Sequence, residues 1–395
     1  MTRAPVLVQK FGGTSVSTPE RRARVVEHVR RARDEGAGIA VVVSAMGRRG
    51  DPYATDTLLD LLRADGGPVA PADYDLLFTC GEAIAAAVVS QALKRAGIPA
   101  VGLTSAQARI YTDGRHVEAS IDRIDTARLR ALMAAGQVPV VTGGQGVAPD
   151  TLDFTTLGRG GSDTSGVALG VALGARRVDI FTDVDGVAVA DPRVVPGARV
   201  LGRVSYGAMH ELARFGAKVV HPRALAAGQA GRTPILVRST FSDAPGTLVD
   251  DVADEAPLVG LALLPPMETV ALPAGAADEA TRGSWERHRL IMSLVDDERG
   301  VVVAGAADDK AAGLREVLSG MPAGPAGAAE RCCWVSVVGD APTLEARHPR
   351  WVRQFEERAI AVRACERAGR RCTYVVPEAD RGRAAAMLYE AFSTP

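Results

Sequence analysis

Apolar and polar positions fall into alternating blocks over the first 250 residues. Val6–Gln9 and Ile39–Ser44 are short continuous apolar runs, the pattern of strands buried on both faces, and the charged stretch Pro19–Glu35 between them predicts a helix. The rhythm continues with a helix over Tyr74–Arg95, a strand over Ala100–Leu103, a helix over Thr126–Ala135 and a strand over Val138–Thr142. Further helices are predicted at Asp163–Leu173, Tyr206–Phe215 and Arg223–Ala230, with strands at Val178–Thr182 and Ile235–Arg238. Such alternation predicts an α/β fold: a mostly parallel sheet covered by helices on both faces. Ligands then belong at the carboxyl ends of the strands, in the loops that lead into helices.

The texture changes after Val249. Asp250–Pro257 is acidic and ends in proline, and reads as a linker. Two rounds of strand–helix–strand–strand–helix follow. The first has strands at Val259–Leu264, Leu290–Val295 and Val301–Ala304, with helices around Glu279–Arg287 and Lys310–Leu318. The second has strands at Val335–Val338, Ile360–Arg363 and Thr373–Val376, with helices at Arg350–Arg358 and Arg381–Phe392. The Pro-, Gly- and Ala-rich Ser319–Ala329 is the expected hinge, and the chain is expected to divide into domains at 1–250 and 256–395.

Composition removes several function classes. With 46 basic and 47 acidic side chains the formal net charge is −1, so bulk electrostatics gives no reason to expect nucleic acid or a membrane as partner. Met1–Lys10 has no signal-peptide pattern and no apolar run approaches the length of a membrane span, which points to a cytoplasmic protein. Cys80, Cys332, Cys333, Cys365 and Cys372 share no C-x-x-C spacing and have no histidine at ligand spacing, so reduced thiols and no metal centre are expected. The basic residues include only four lysines, Lys10, Lys94, Lys218 and Lys310. In so arginine-rich a chain, a retained lysine marks a place where a compact ammonium suits better than a guanidinium fork.

Four loops carry candidate chemistry. In Lys10-Phe11-Gly12-Gly13-Thr14-Ser15, directly after the first strand, glycines admit backbone N–H groups to a phosphate and the ammonium supplies a point charge. A tight turn with a solvated lysine is an equal reading of that loop alone. Gly158-Arg159-Gly160-Gly161-Ser162-Asp163 opens a helix that Ser162 or Asp163 could cap, and Arg159 could grip a carboxylate or phosphate. Thr182-Asp183-Val184-Asp185-Gly186 ends a strand but lacks the closing glutamate of a calcium loop. Gly216-Ala217-Lys218 sits between two helices.

Together these loops resemble aspartate kinases of the amino-acid-kinase family. The matching strings are VQKFGGTSV (Val8–Val16), VVVSAM (Val41–Met46), TCGE (Thr79–Glu82), TTLGRGGSDTS (Thr155–Ser165), TDVDGV (Thr182–Val187), ADPRVVPGA (Ala190–Ala198) and ELARFGAKVVHPRA (Glu211–Ala224). The resemblance covers about the first 250 residues. It implies the amino-acid-kinase fold and ATP-dependent phosphorylation of the β-carboxylate of L-aspartate to 4-phospho-L-aspartate, with Mg²⁺ carried mainly on the ATP phosphates. It further implies that Lys10 bridges the transferring phosphoryl group, that Phe11, Gly12 and Gly13 frame it, and that Lys218 neutralises nucleotide phosphates. Ser44, Thr182, Asp183 and Arg193 would line the nucleotide site. Arg159, with Gly160 and Gly161, would hold the α-carboxylate of aspartate; Glu82, Ser162 and Asp163 would meet its ammonium; Thr55 would touch the reacting carboxylate. Asp163 could instead organise the phosphate site.

Two departures stand out. Ala188 replaces a tyrosine common in the family near the nucleotide. The family's C-terminal region is a tandem of α+β ACT units that bind an amino-acid effector and dimerise, and a homodimer through that region is implied here. The usual D-x-P-G effector turn is missing, however: Leu264-Pro265-Pro266-Met267 and Gly339-Asp340-Ala341-Pro342 stand in its place. A weak or altered effector response is therefore expected. Competing expectations are a related kinase acting on a different carboxylate-bearing amino acid, and a silent regulatory subunit. The intact Lys10 and G-R-G-G-S-D loops speak against the latter.

Overall fold

A computed structural model describes residues 5–64, 66–217, 219–273, 292–296, 301–306, 314 and 329–392. The chain divides by packing into two compact units. The first comprises Met1–Val187, Val200–Tyr206 and Lys218–Ala253; the second comprises Ala188–Arg199, Gly207–Ala217 and Asp254–Pro395.

In the first unit, β1 (Val6–Phe11) is followed by the single-turn α1 (Gly13–Val16), α2 (Pro19–Asp34) and β2 (Gly38–Val43). Then come α3 (Thr55–Arg63), α4 (Pro71–Arg95), β3 (Ala100–Leu103), β4 (Ile110–Thr112) and β5 (Ile121–Ile124). These are followed by α5 (Ala127–Ala134), β6 (Val138–Thr142), β7 (Gln145–Val147), β8 (Phe154–Thr156), α6 (Gly161–Leu173) and β9 (Arg177–Thr182). The unit is completed by β10 (Arg203–Ser205), α8 (Pro222–Ala230), β11 (Ile235–Ser239) and β12 (Thr247–Asp250), while α7 (Tyr206–Arg214) lies almost wholly in the second unit.

Eight strands form the main sheet in the order β10-β12-β11-β9-β1-β2-β6-β3, parallel except for the β11–β12 pair. Its apolar runs are buried from end to end, as a sheet covered on both faces requires. On one face Phe11, Val25, Val29, Val41, Val89 and Leu93 build the core between the sheet, α2 and α4. Helix α4 alone among the described helices is long and apolar enough to cross a membrane, but here it lies against β3, β6 and β8 as a core helix. A smaller sheet, β5-β4-β7-β8, and helix α3 have no counterpart in the sequence-based expectation.

The second unit contains the expected C-terminal α+β region. Its strands are β13 (Leu258–Leu263), β14 (Met267–Pro273), β15 (Met292–Asp296), β16 (Val301–Ala306), β17 (Glu330–Gly339), β18 (Ala364–Ala368) and β19 (Arg371–Pro377). Helices α9 (Ala341–Glu357) and α10 (Arg381–Tyr389) complete it. All pairings are antiparallel, in the order β15-β16-β14-β17-β19-β18, with β13 also on β17. The first strand of the expected first round thus pairs with the second round, so the two rounds are interleaved through the sheet. The strand expected at Ile360–Arg363 lies instead at Ala364–Ala368. The helix expected around Glu279–Arg287 lies outside the described residues, as do Lys310–Leu318 apart from Leu314 and the hinge Ser319–Ala329 apart from Ala329.

Within this unit the outer strands β15 and β18 lie against each other, joined by the Cys365 N–H to Asp296 Oδ2 (2.8 Å) and the Val295 N–H to Glu366 Oε1 (2.9 Å). Buried Arg371 stacks over Phe215, 4.0 Å from its centroid, and pairs with Glu211 (3.2 Å) and Glu366. These contacts explain why Gly207–Ala217 belongs with the C-terminal residues.

Candidate active site

Parallel strands end together, so the residues just beyond them converge. Lys10 is level with Val42 of β2 and Ile180 of β9, so Ser44, just past β2, and Thr182, the last residue of β9, stand together one step beyond Phe11. Its ammonium lies 2.6 Å from Asp163 Oδ1 on α6, and Lys10 is 8% exposed. A cation this enclosed needs a carboxylate partner to offset lost hydration. The lysine stem runs over Gly166, where a Cβ would stand 3.2 Å from Lys10 Cβ. The turn after β1 is open on the same side: a Cβ at Gly12 would enter the space 3.7 Å from Nζ, and one at Gly13 would collide with the Ala45 carbonyl at 2.3 Å. The Phe11 side chain is buried in the core, stacked on Phe181 with centroids 4.5 Å apart. Its carbonyl accepts the Ser44 N–H at 3.2 Å.

Helix α6 begins at a left-handed Gly160 (φ 66°) and has no side-chain cap. Ser162 and Asp163 are therefore not the caps that the sequence allowed. Ser162 Oγ accepts from Ser44 Oγ at 2.9 Å, and Asp163 takes Lys10. An uncapped helix start leaves N–H groups and the positive end of the dipole directed toward the site, an arrangement suited to anions. The loop is braced from behind by Arg223, which donates to the Leu157 carbonyl (2.6 Å) and the Ala119 carbonyl (2.7 Å). Gly160 is sterically required, since a Cβ there would meet the His221 ring at 2.2 Å. Arg159 is exposed, with no hydrogen bond or ion pair among the described residues.

Helix α4 brings a carboxyl group in from another side. Gly81 lets it press onto Ala45, and Glu82 is 3% exposed, accepting the Ala45 N–H at 3.2 Å through Oε1. Its Oε2 is buried without a partner. Burial pushes the carboxyl up to about 8, opposed only by the hydrogen bonds to the Ala45 and Glu82 amides. A carboxyl group left half-satisfied in this way suits a cationic ligand group that restores its charge. Two turns earlier, fully buried Asp75 binds His116 Nδ1 (2.8 Å), the Val117 N–H (3.0 Å) and Thr156 Oγ1, which ties α4 to the loops around the α6 entrance. Sequence reading missed Asp75, because its partners are distant in the chain. Thr55, half-buried, opens α3.

At the end of β9 the Thr182 carbonyl accepts the Thr240 N–H (2.9 Å), and its hydroxyl donates to exposed Asp183 (3.2 Å). Asp183 also pairs with Arg48 at 2.6 Å, and Arg48 Nε donates to Thr14 Oγ1 at 3.3 Å. Arg48 thus spans the β1 and β9 loops. Its signal in the sequence was Gly47-Arg48-Arg49-Gly50, two cations between two flexible residues. Arg193 belongs to the second unit, where it is closed on Asp191 (2.7 Å) and holds that carboxyl below its usual range. Lys218 lies outside the described residues.

The model of the "Amino acid kinase family" matches residues 5–239, more than half of the chain. The chain belongs to the amino acid kinase family. Within this family it is 48% identical over 244 residues to Aspartokinase 1 of Bacillus subtilis, a match covering 62% of this chain and 60% of that protein. It is 44% identical over 253 residues to an aspartokinase of Mycolicibacterium smegmatis, covering 64% and 59% respectively. The chain thus spans about 60% of the length of the curated relatives it matches. Among solved structures, E. coli aspartokinase III in complex with aspartate and ADP superposes with a TM-score of 0.76, at 23% identity over 98% of this chain and 99% of that one. The amino-acid-kinase fold and the C-terminal ACT-like region therefore both have a counterpart of the same architecture.

Proposed function

We propose that this amino acid kinase transfers the γ-phosphoryl group of ATP to the β-carboxylate of L-aspartate, giving 4-phospho-L-aspartate and ADP. The observation that carries the reading is the Lys10–Asp163 pair set between two glycine turns, with the buried carboxyl of Glu82 on the adjoining helix. Similarity to the aspartokinases of Bacillus subtilis and Mycolicibacterium smegmatis supports the choice of substrate.

The attacking β-carboxylate is ionised at neutral pH, so no general base is required. Phosphoryl transfer then depends on positioning and charge neutralisation. Lys10 sits across the transferring group, and the Gly13 and α6 amides donate to its oxygens, while the Gly12 N–H is held by the Phe181 carbonyl at 3.3 Å. A Cβ at Gly12 would stand 3.7 Å from Nζ, so a glycine keeps that approach to the lysine clear. Mg²⁺ carried mainly on the ATP phosphates would neutralise their charge, and Asp163 on α6 or Asp183 just after β9 would be the carboxylates to hold it. Arg48 turns from Asp183 to the phosphates, an inexpensive change because the exposed pair is worth little. Lys218, Ser44 and Thr182 complete the nucleotide side.

Arg159 takes the α-carboxylate and Glu82 the ammonium of the substrate, which selects an α-amino acid by its two charges. Ser162 and Thr55 fix the side chain between them. The domains follow as a catalytic region over 1–250 and an ACT-like region over 256–395 that joins two copies, and the protein works in the cytoplasm. A coupled ADP-release assay with Mg-ATP and aspartate tests the reading, and absence of ADP at saturating aspartate would remove it.

A further inference from the structure

Far from the kinase chemistry in sequence, the second unit gathers three metal-binding side chains. His348 comes from α9, while Cys365 and Cys372 come from the β18–β19 hairpin. Cys365 stands opposite Tyr374 and Arg367 opposite Cys372, so the two cysteines are diagonal neighbours. Their sulfurs are 3.8 Å apart, and His348 Nδ1 lies 4.0 Å from Cys365 Sγ and 3.8 Å from Cys372 Sγ.

Those spacings discriminate between two uses of the thiols. A disulfide needs Cβ atoms about 3.5–4.5 Å apart, whereas diagonal cross-strand pairs are separated by roughly 7 Å. A tetrahedral ion with sulfur at about 2.3 Å and nitrogen at about 2.0–2.1 Å holds two sulfurs about 3.8 Å apart and sulfur and nitrogen about 3.5–3.6 Å apart. The observed triangle is within a few tenths of an ångström of one face of that tetrahedron. The Tyr374 hydroxyl, 2.7 Å from His348 Nδ1, marks the remaining side.

We propose that His348, Cys365 and Cys372 bind one thiophilic cation of the Zn²⁺ class, with the Tyr374 hydroxyl or solvent in the fourth position. Cys372 is fully buried and His348 nearly so, while half-exposed Cys365 gives the ion its way in. The Phe355 and Trp351 rings pack around Tyr374, so the inner wall is apolar. The Cys365 N–H is held by Asp296 Oδ2 of β15, which fixes the strand that carries the ligand. The site left no mark in the sequence because its ligands converge only through strand pairing and helix packing.

Full-length, reduced, chelator-stripped protein titrated with Co²⁺ tests this. The expected result is a thiolate-to-cobalt charge-transfer band with intense tetrahedral d–d bands, saturating at about one equivalent and bleached by added Zn²⁺. Loss of a direct ligand in Cys365→Ser or His348→Gln should weaken binding by more than about 100-fold, beyond the usual effect of losing an outer partner. Cys80→Ser, which alters an exposed thiol of the other unit, should leave the spectrum unchanged. Absence of a sulfur charge-transfer band in the wild-type chain overturns the proposal, and so does a band in Cys365→Ser that saturates at the same Co²⁺ concentration as in the wild type.

Discussion

Two residues make opposite demands on their surroundings. Lys10 is enclosed as a cation with its counter-ion supplied. Its replacement by alanine should lower kcat by about 10²–10³ or more, the scale of losing one stabilising group on the transferring charge. Far-UV circular dichroism should show the fold retained, since the residue stands at a strand end. Glu82 is enclosed without a counter-ion, and its raised pKa makes it responsive to pH. In the ligand-free protein the group binds a proton up to about pH 8, whereas in the unfolded chain it releases that proton near 4.5. Its stabilising share is therefore complete below pH 4.5 and lost as pH rises from there to about 8. Glu82→Gln should recover about 3–5 kcal/mol relative to wild type between pH 5 and pH 9, read from denaturant titrations at the two values. The substrate ammonium favours the carboxylate, so aspartate binding near neutrality should release a proton. The wild-type KM for aspartate should fall as pH rises toward 8, and in Glu82→Gln it should be high and flat.

Among the elements, those easiest to read in sequence were the ones buried on both faces. Val138–Thr142 and Val178–Thr182 are mostly apolar and almost wholly buried, and were placed to within a residue. Strand β18, Ala364–Ala368, carries Glu366 and Arg367 and pairs on one side only, so the apolar Ile360 and Val362 drew the expectation toward the preceding turn. Strands β4, β7 and β8 are three residues each, too short for any period to register. Much of the candidate site was legible, because glycine turns, Lys10 and the arginine loop leave a local signature. Asp75 was not, because its meaning lies in partners far along the chain, and Arg48 left only a pair of cations between two glycines. The start of α6 offers an element-scale test. Gly160→Ala imposes a left-handed conformation on a residue with a Cβ and drives that atom into His221. It should cost about 1–3 kcal/mol of stability and raise the KM for aspartate several-fold, as thermal melts and initial rates would show.

At the scale of the whole molecule, the turns of the C-terminal sheet bear on regulation. After β13 the chain passes through Leu264-Pro265-Pro266 directly into β14, and Asp340 is occupied in capping α9 through the Thr343 N–H at 2.7 Å. Neither segment forms the D-x-P-G turn on which the family's effector response was expected to depend. Initial rates should therefore change little across low-millimolar lysine, threonine or diaminopimelate, and sharp inhibition by any of them would contradict that expectation.

The interleaving of the C-terminal sheet also bears on how the protein is made. Leu258–Leu263 can complete its ladder only when Val335–Gly339 has left the ribosome. Until then a fully apolar strand stands unpaired while the kinase sheet has every strand it needs. The vulnerable moment in the life of this chain is therefore late in synthesis, and truncation before β17 should yield an aggregation-prone product even though the catalytic sheet is complete.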